Sequence, residues 1–164
     1  MRAGVATAIV ALAVSVPSAA ADPAPKLDML AFFTGKTHAE NVMKIVLKKP
    51  ARLVVDSIGG KGDRGDFVLI DTVKEEGKPE RTRKWVMKQV SPGRFTGSLS
   101  DATGPVDVTV DGDEALILYT MKGGLKVRQE MKLLPDGKTL SNEVVVKKFG
   151  LKFASVEGKI RKLD

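Results

Sequence analysis

Cysteine is absent from the 164-residue sequence, and histidine, tryptophan and tyrosine occur once each. Without thiols there are no disulfides, no thiol catalysis, no cysteine–metal centre and no lipid on an N-terminal cysteine, so stability must come from burial. His38 is the sole imidazole, and neither a histidine-based triad nor a transition-metal site has a second nitrogen or thiolate to complete it. A polar surface role suits it better, at the start of a strand. Aromatic residues make up only 5% of the chain. Single-strand nucleic-acid binders interleave cations with stacking rings, and that class is excluded. No apolar run after the first one approaches membrane-spanning length.

The first run is Ala3–Val16, about 14 uncharged residues behind Arg2, and it fits the roughly 7–15 residues of a signal-peptide h-region. Pro17 ends it, and small residues stand at Ala19 and Ala21, where a signal peptidase reads. Residues 1–21 therefore read as a secretory signal peptide, with cleavage after Ala21, a mature chain starting at Asp22, and a periplasmic or secreted product. An uncleaved anchor helix is the alternative, and the run is short for a span. Loss of Arg2 from 27 basic against 20 acidic residues leaves a net charge of +6. A basic exported protein meets anionic lipid, cell-wall polymer or acidic partners, although a charge surplus also serves solubility alone.

Residues 22–164 read as one domain, large enough to bury a core without staples. Two prolines make residues 22–26 an extended lead-in. A short helix is expected over 28–34, capped by Asp28, with Leu27, Leu30 and Phe33 on one face and Gly35 ending it. The period then becomes two-fold. About ten strands are expected, at 38–48, 51–58, 66–74, 81–90, 94–100, 105–111, 114–122, 125–134, 140–149 and 151–162. Between them lie a flexible loop at Gly59–Gly65 and tight turns at 76–79, 91–93, 111–113, 123–124 and 135–138, rich in glycine for positive φ.

Alternation is clearest at 125–133, where Leu125, Val127, Gln129, Met131 and Leu133 oppose Lys126, Arg128, Glu130 and Lys132. Residues 104–111 repeat it, with Val106, Val108 and Val110 against Asp107, Thr109 and Asp111. The segment 115–119 is apolar on both faces and is expected to lie under the helix or a neighbour. The fold class is all-β: an antiparallel meander of about ten strands with one short N-terminal helix. It hides its edges by closing as a lipocalin/calycin-like barrel, with a β-sandwich as the alternative.

Chemistry-bearing patterns are sparse. Asp101, Asp107, Asp111, Asp113 and Glu114 cluster in sequence and could pair as glycosidase carboxylates, but three of them fall in a hairpin turn, where aspartate serves the backbone. They do not match a calcium loop. The Gly59–Gly65 loop lacks the Gly-Lys-Ser/Thr step of a phosphate loop, and Arg64-Gly65-Asp66 is a coincidental match to an adhesion tripeptide. Basic residues are spread over several strands (Arg81, Arg83, Lys84; Lys126, Arg128, Lys132; Lys147, Lys148, Lys159, Arg161, Lys162), as on a solvated face or one turned to anionic lipid.

Several strings are similar to an uncharacterised bacterial family of exported lipocalin-like domains, many carrying a lipid-attachment cysteine. They are Leu27–Thr37; Asp71 to Trp85 with Glu75, Gly77, Arg83 and Trp85; Gly93–Gly97 with Asp101 and Gly104; and Asn142 with Lys148-Phe149-Gly150. The resemblance spans nearly all of the mature chain and implies the barrel fold. The chain departs from the pattern in lacking the cysteine, in Gln129-Glu130-Met131-Lys132 where a Trp-Met segment stands, and in Glu143 where arginine follows the asparagine.

The interior then decides function. Along 81–90, Arg81, Arg83, Trp85, Met87 and Gln89 share one face, while the opposite face carries Lys84 and Lys88 at its centre. The first face is read as inward, with Trp85 and Met87 flooring a pocket and the arginines at its mouth as a cationic rim for a carboxylate or phosphate. Tyr119 lies mid-strand nearby. Arg83, Trp85, Met87 and Tyr119 are the ligand-binding candidates of a non-catalytic module for a lipid-like or other apolar ligand. The second reading is a structural or interaction protein of the cell envelope, with a filled core and a basic outer face toward an anionic component. No nucleophile–base constellation is visible, and no catalytic residue, metal or cofactor is expected.

Overall fold

The computed structural model describes residues 25–163. The signal peptide read over 1–21 lies outside the described residues. Ten antiparallel strands form one closed barrel: β1 (Gly35–Ile45), β2 (Ala51–Lys61), β3 (Phe67–Glu75), β4 (Arg81–Ser91), β5 (Arg94–Leu99), β6 (Val106–Asp111), β7 (Glu114–Met121), β8 (Leu125–Leu133), β9 (Thr139–Lys148) and β10 (Leu151–Leu163). Each strand pairs with the next in sequence, and β10 closes the ring on β1, from Lys36↔Leu163 to Ile45↔Ala154. Closure satisfies both edges, so the sandwich alternative does not hold.

The alternation in the sequence is the alternation of the wall. Val127, Met131 and Leu133 are buried while Lys126, Arg128, Glu130 and Lys132 are exposed, as a two-fold period on a one-sided sheet requires. The apolar segment 115–119 obeys the same rule: Ala115 and Ile117 face the core, but Leu118 is exposed on the outer surface. Among the described residues neither helix nor neighbour covers it, contrary to expectation, because the helix packs at the barrel's end.

That helix is α1 (Met29–Phe33). The Asp28 side chain accepts from the Ala31 amide at 3.0 Å, an N-cap bond, and Gly35 at φ +88° turns the chain straight into β1. The first strand thus begins three residues before the expected start. Phe32 and Phe33 are buried with Leu27, and the Leu27 amide donates to the Gly112 carbonyl at 2.9 Å, tying the lead-in to the β6–β7 turn. From β10, the Lys162 ammonium donates to the carbonyls of Ala31, Phe32 and Thr34 at 3.0, 3.0 and 2.6 Å. A cation on the unpaired carbonyls of a helix C-terminus satisfies them and opposes the local dipole. The plug is thereby fastened at both ends.

Two glycines permit close approaches. Gly59, expected in a loop, lies in β2 paired with Leu69. A Cβ there would fall on the Phe33 carbonyl oxygen, so the glycine is what lets α1 settle onto the wall. Gly60 and Lys61 continue the strand, leaving the turn shorter than expected. Gly158 of β10 stands in register between Asn41 of β1 and Asn142 of β9. A Cβ there would meet the Glu40 carbonyl and the Asn41 Oδ1.

Gly158→Ala should therefore force the wall apart locally. Overpacking of this kind costs about 1–3 kcal/mol, and urea denaturation should show a lower midpoint with an unchanged slope. An unaltered midpoint would contradict the register just described.

Candidate functional site

Beneath α1 the barrel is not filled. A cavity of about 110 Å³ lies inside, and each of the ten strands contributes to its lining. Toward α1 the lining is apolar: Met29, Leu30 and Phe33 from the helix, and Phe67, Met87 and Met131 from the wall. Further along the barrel it becomes polar, through two separate groups.

The first group centres on Asp71 of β3, whose residue is only 3% exposed. Ser57 of β2 and Arg83 of β4 are its direct cross-strand neighbours on the inward face. Asp71 Oδ1 accepts from the Ser57 hydroxyl at 2.7 Å. Its Oδ2 accepts from Arg83 Nη2 and from the Trp85 indole N–H, both at 2.8 Å. A carboxylate removed from water is tolerated only when its charge is paired and its lone pairs are used, and here three donors do both. Arg83 also lies 5.7 Å from the centroid of the Trp85 ring, within cation–π reach. Its Nε–H is buried and has no partner among the described residues.

The second group is a chain of amides. Gln129 Nε2 donates to Asn142 Oδ1 at 2.7 Å, and Asn142 Nδ2 donates to Asn41 Oδ1 at 3.0 Å. The Asn142–Asn41 bond crosses β10, the strand between them, and it is possible because Gly158 presents no side chain there. Asn41 and Asn142 are buried.

Of the four candidates from sequence, Arg83, Trp85 and Met87 line the cavity. Tyr119 is not among the lining residues. It stands behind Trp85, edge to face at 5.8 Å between centroids and 86° between planes, and burial raises its phenol pKa above the ordinary value. The cationic rim is corrected. Arg83 is paired to Asp71, and Arg81 is exposed and paired to Asp101 at 2.6 Å, so neither arginine presents an uncompensated charge.

The cluster of acids at 101–114 does not assemble. Asp101 serves Arg81, while Asp113 and Glu114 share Lys132 at 3.4 and 2.8 Å, bonds that raise the pKa of that lysine, Glu114 first. His38 faces outward on the β1–β2 ladder with Nδ1 at 2.6 Å from Asp56 Oδ1. That bond is the first cause of a lowered Asp56 pKa.

Asp71, Ser57 and Asn41 were not singled out as site residues from sequence, although a signal existed. Asp71 has the inward parity of Phe67, Leu69 and Val73, and a lone carboxylate on an apolar face demands partners. Removing it should strand Arg83. Asp71→Ala is expected to cost about 3–5 kcal/mol in chemical denaturation, and Asp71→Ala with Arg83→Met should recover part of that loss. A loss below about 1 kcal/mol, the worth of an exposed pair, would contradict the network.

A search of curated proteins found no match in sequence. Fourteen chains in solved structures match this one, and three of them illustrate the shared fold. The S-type phycobiliprotein lyase CPES from Guillardia theta matches with a TM-score of 0.66 at 5% identity, over 84% of this chain and 92% of that one. The protein Rv2717c from M. tuberculosis matches with a TM-score of 0.62 at 14% identity, over 87% of this chain and all of that one. A protein of unknown function of the DUF3598 family from Nostoc punctiforme matches with a TM-score of 0.61 at 12% identity, over 85% of this chain and 50% of that one. At such identities the likeness is one of fold. The family model described as "Protein of unknown function (DUF3833)" matches residues 6–162, and the chain belongs to that family.

Proposed function

We propose that this member of a family of unknown function is a non-catalytic binding module, working outside the cytoplasm, for a small lipid-like molecule with an uncharged polar head. The observation that carries the reading is the cavity's division into an apolar end under α1 and a polar belt further along the barrel. An amphipathic ligand matches that division: its hydrocarbon would lie on Met29, Met87 and Met131, and its head would reach Arg83, Gln129 or Asn142.

Charge refines the ligand. Asp71 already neutralises Arg83, so a carboxylate or phosphate entering the belt would be a buried anion without a counter-charge of its own. A carbonyl, ester or hydroxyl oxygen would instead give the Arg83 Nε–H the acceptor it lacks. Size refines it too. At about 110 Å³ the cavity is close to the ~150 Å³ that admits benzene and below the ~300 Å³ of common ligand pockets. A longer chain requires the three methionines to move, and their unbranched thioethers are suited to that. The extracytoplasmic setting rests on the signal-peptide pattern of residues 1–21.

Trp85 is the only tryptophan and is 8% exposed, so its emission should be blue-shifted in the free protein. Medium-chain alcohols and methyl esters should change that emission saturably, with the corresponding carboxylates binding more weakly. A linear, unsaturable response to all of them would sink the binding reading, and carboxylates binding best would overturn the uncharged head.

A further inference from the structure

The end of the barrel opposite α1 carries a second feature, independent of the cavity. There the β1–β2 hairpin (46–50) and the β9–β10 hairpin (149–150) stand side by side. Ile45 pairs with Ala154, and the Val46 amide donates to the Phe153 carbonyl at 3.1 Å. At their tips Leu47 is 101% and Phe149 92% exposed, and Val46 and Leu151 are exposed beside them. Leu47 (φ +63°) and Phe149 (φ +51°) are also the only non-glycine residues with positive φ among the described residues. That backbone region disfavours any side chain but is kindest to Gly, Asn and Asp. Here it holds two large apolar side chains out in water, where they gain no burial. The backbone conformation closes the hairpins, but the two apolar side chains add nothing to the core.

Lysines surround the apex. Lys48 and Lys49 follow Leu47, and Lys147, Lys148 and Lys152 flank Phe149, with no acidic residue in 46–53 or 144–154. None of these five has a carboxylate within ion-pair distance among the described residues. The Lys148 ammonium lies over the Phe149 ring at 5.7 Å. An apolar tip flanked by five lysines, with Glu76 of the neighbouring turn held on the Arg52 amide at 3.1 Å, matches a bilayer surface, with hydrocarbon at the depth of the acyl boundary and ammonium groups among lipid phosphates. A second copy of the chain fits poorly, since two such tips would bring like charges together.

From this geometry we propose that the paired hairpin tips dock the barrel end-on to a membrane surface rich in anionic lipid, with α1 facing away from it. No described helix is long and apolar enough to cross a membrane, and the contact proposed is peripheral. The test is co-sedimentation of the purified chain with phosphatidylcholine vesicles, with and without phosphatidylglycerol. The tip variant is Leu47→Asn with Phe149→Asn, chosen because asparagine tolerates positive φ and so leaves the fold intact or firmer. Binding is expected only with phosphatidylglycerol, is expected to fall as salt rises, and should weaken by about ten-fold or more in the double variant. Thermal unfolding at or above the parent midpoint would show that the variant is folded. The proposal is overturned if the folded double variant binds as the parent does, or if phosphatidylglycerol vesicles are not bound. A concentration-dependent dimer abolished by the double variant would also overturn it, by assigning the tips to a second copy.

Discussion

A single buried carboxylate governs the inside of this barrel. Asp71 cannot sit in the wall without donors, and the three it has come from β2 and β4, on either side of its own strand. A slip of one residue in either pairing would turn Ser57, or Arg83 and Trp85 together, to the outer face and leave the charge stranded. The register of β2, β3 and β4 is thus specified by charge as well as by hydrophobic parity. Because Trp85 is one of the donors, the same interaction fixes the plane of the indole that forms part of the cavity wall.

The opposite wall is organised by a different device with the same result. Gly158 removes a side chain from β10, and Asn41 and Asn142 bond across the gap while Gln129 extends the chain. These two polar groups make that level of the interior polar, and one donor in it, the Arg83 Nε–H, has no acceptor among the described residues. With α1 tied to the barrel through Leu27 at one end and Lys162 at the other, the space beneath it has a fastened roof and two hydrogen-bonded polar groups in its wall. A site intended to bind is usually preorganised in this way.

Much of the wall could be read from the sequence, because a one-sided sheet records itself as alternation. Lys126 to Lys132 gave β8 its facing, and Lys84 with Lys88 gave Trp85 its inward parity. The closed ring followed from hairpins without crossovers. Most of what escaped depended on partners distant in the chain. Asp71 looks like an ordinary polar residue in a strand until Ser57, Arg83 and Trp85 are brought around it, and the cationic rim fails for the same reason. Gly59 and Gly60 read as loop because the approach of Phe33 was not visible. Leu47 read as strand, since nothing in a leucine announces a positive φ.

On the proposed reading, the polar groups keep the interior open for an occupant rather than merely packing a core. Native mass spectrometry of the protein taken from its own cells, without denaturing steps, tests this most directly. An occupant should appear as a co-purifying adduct of small mass, carrying no charge of its own and released by organic solvent. A spectrum containing only the mass of the bare chain, under conditions gentle enough to retain a known barrel ligand, would contradict that reading.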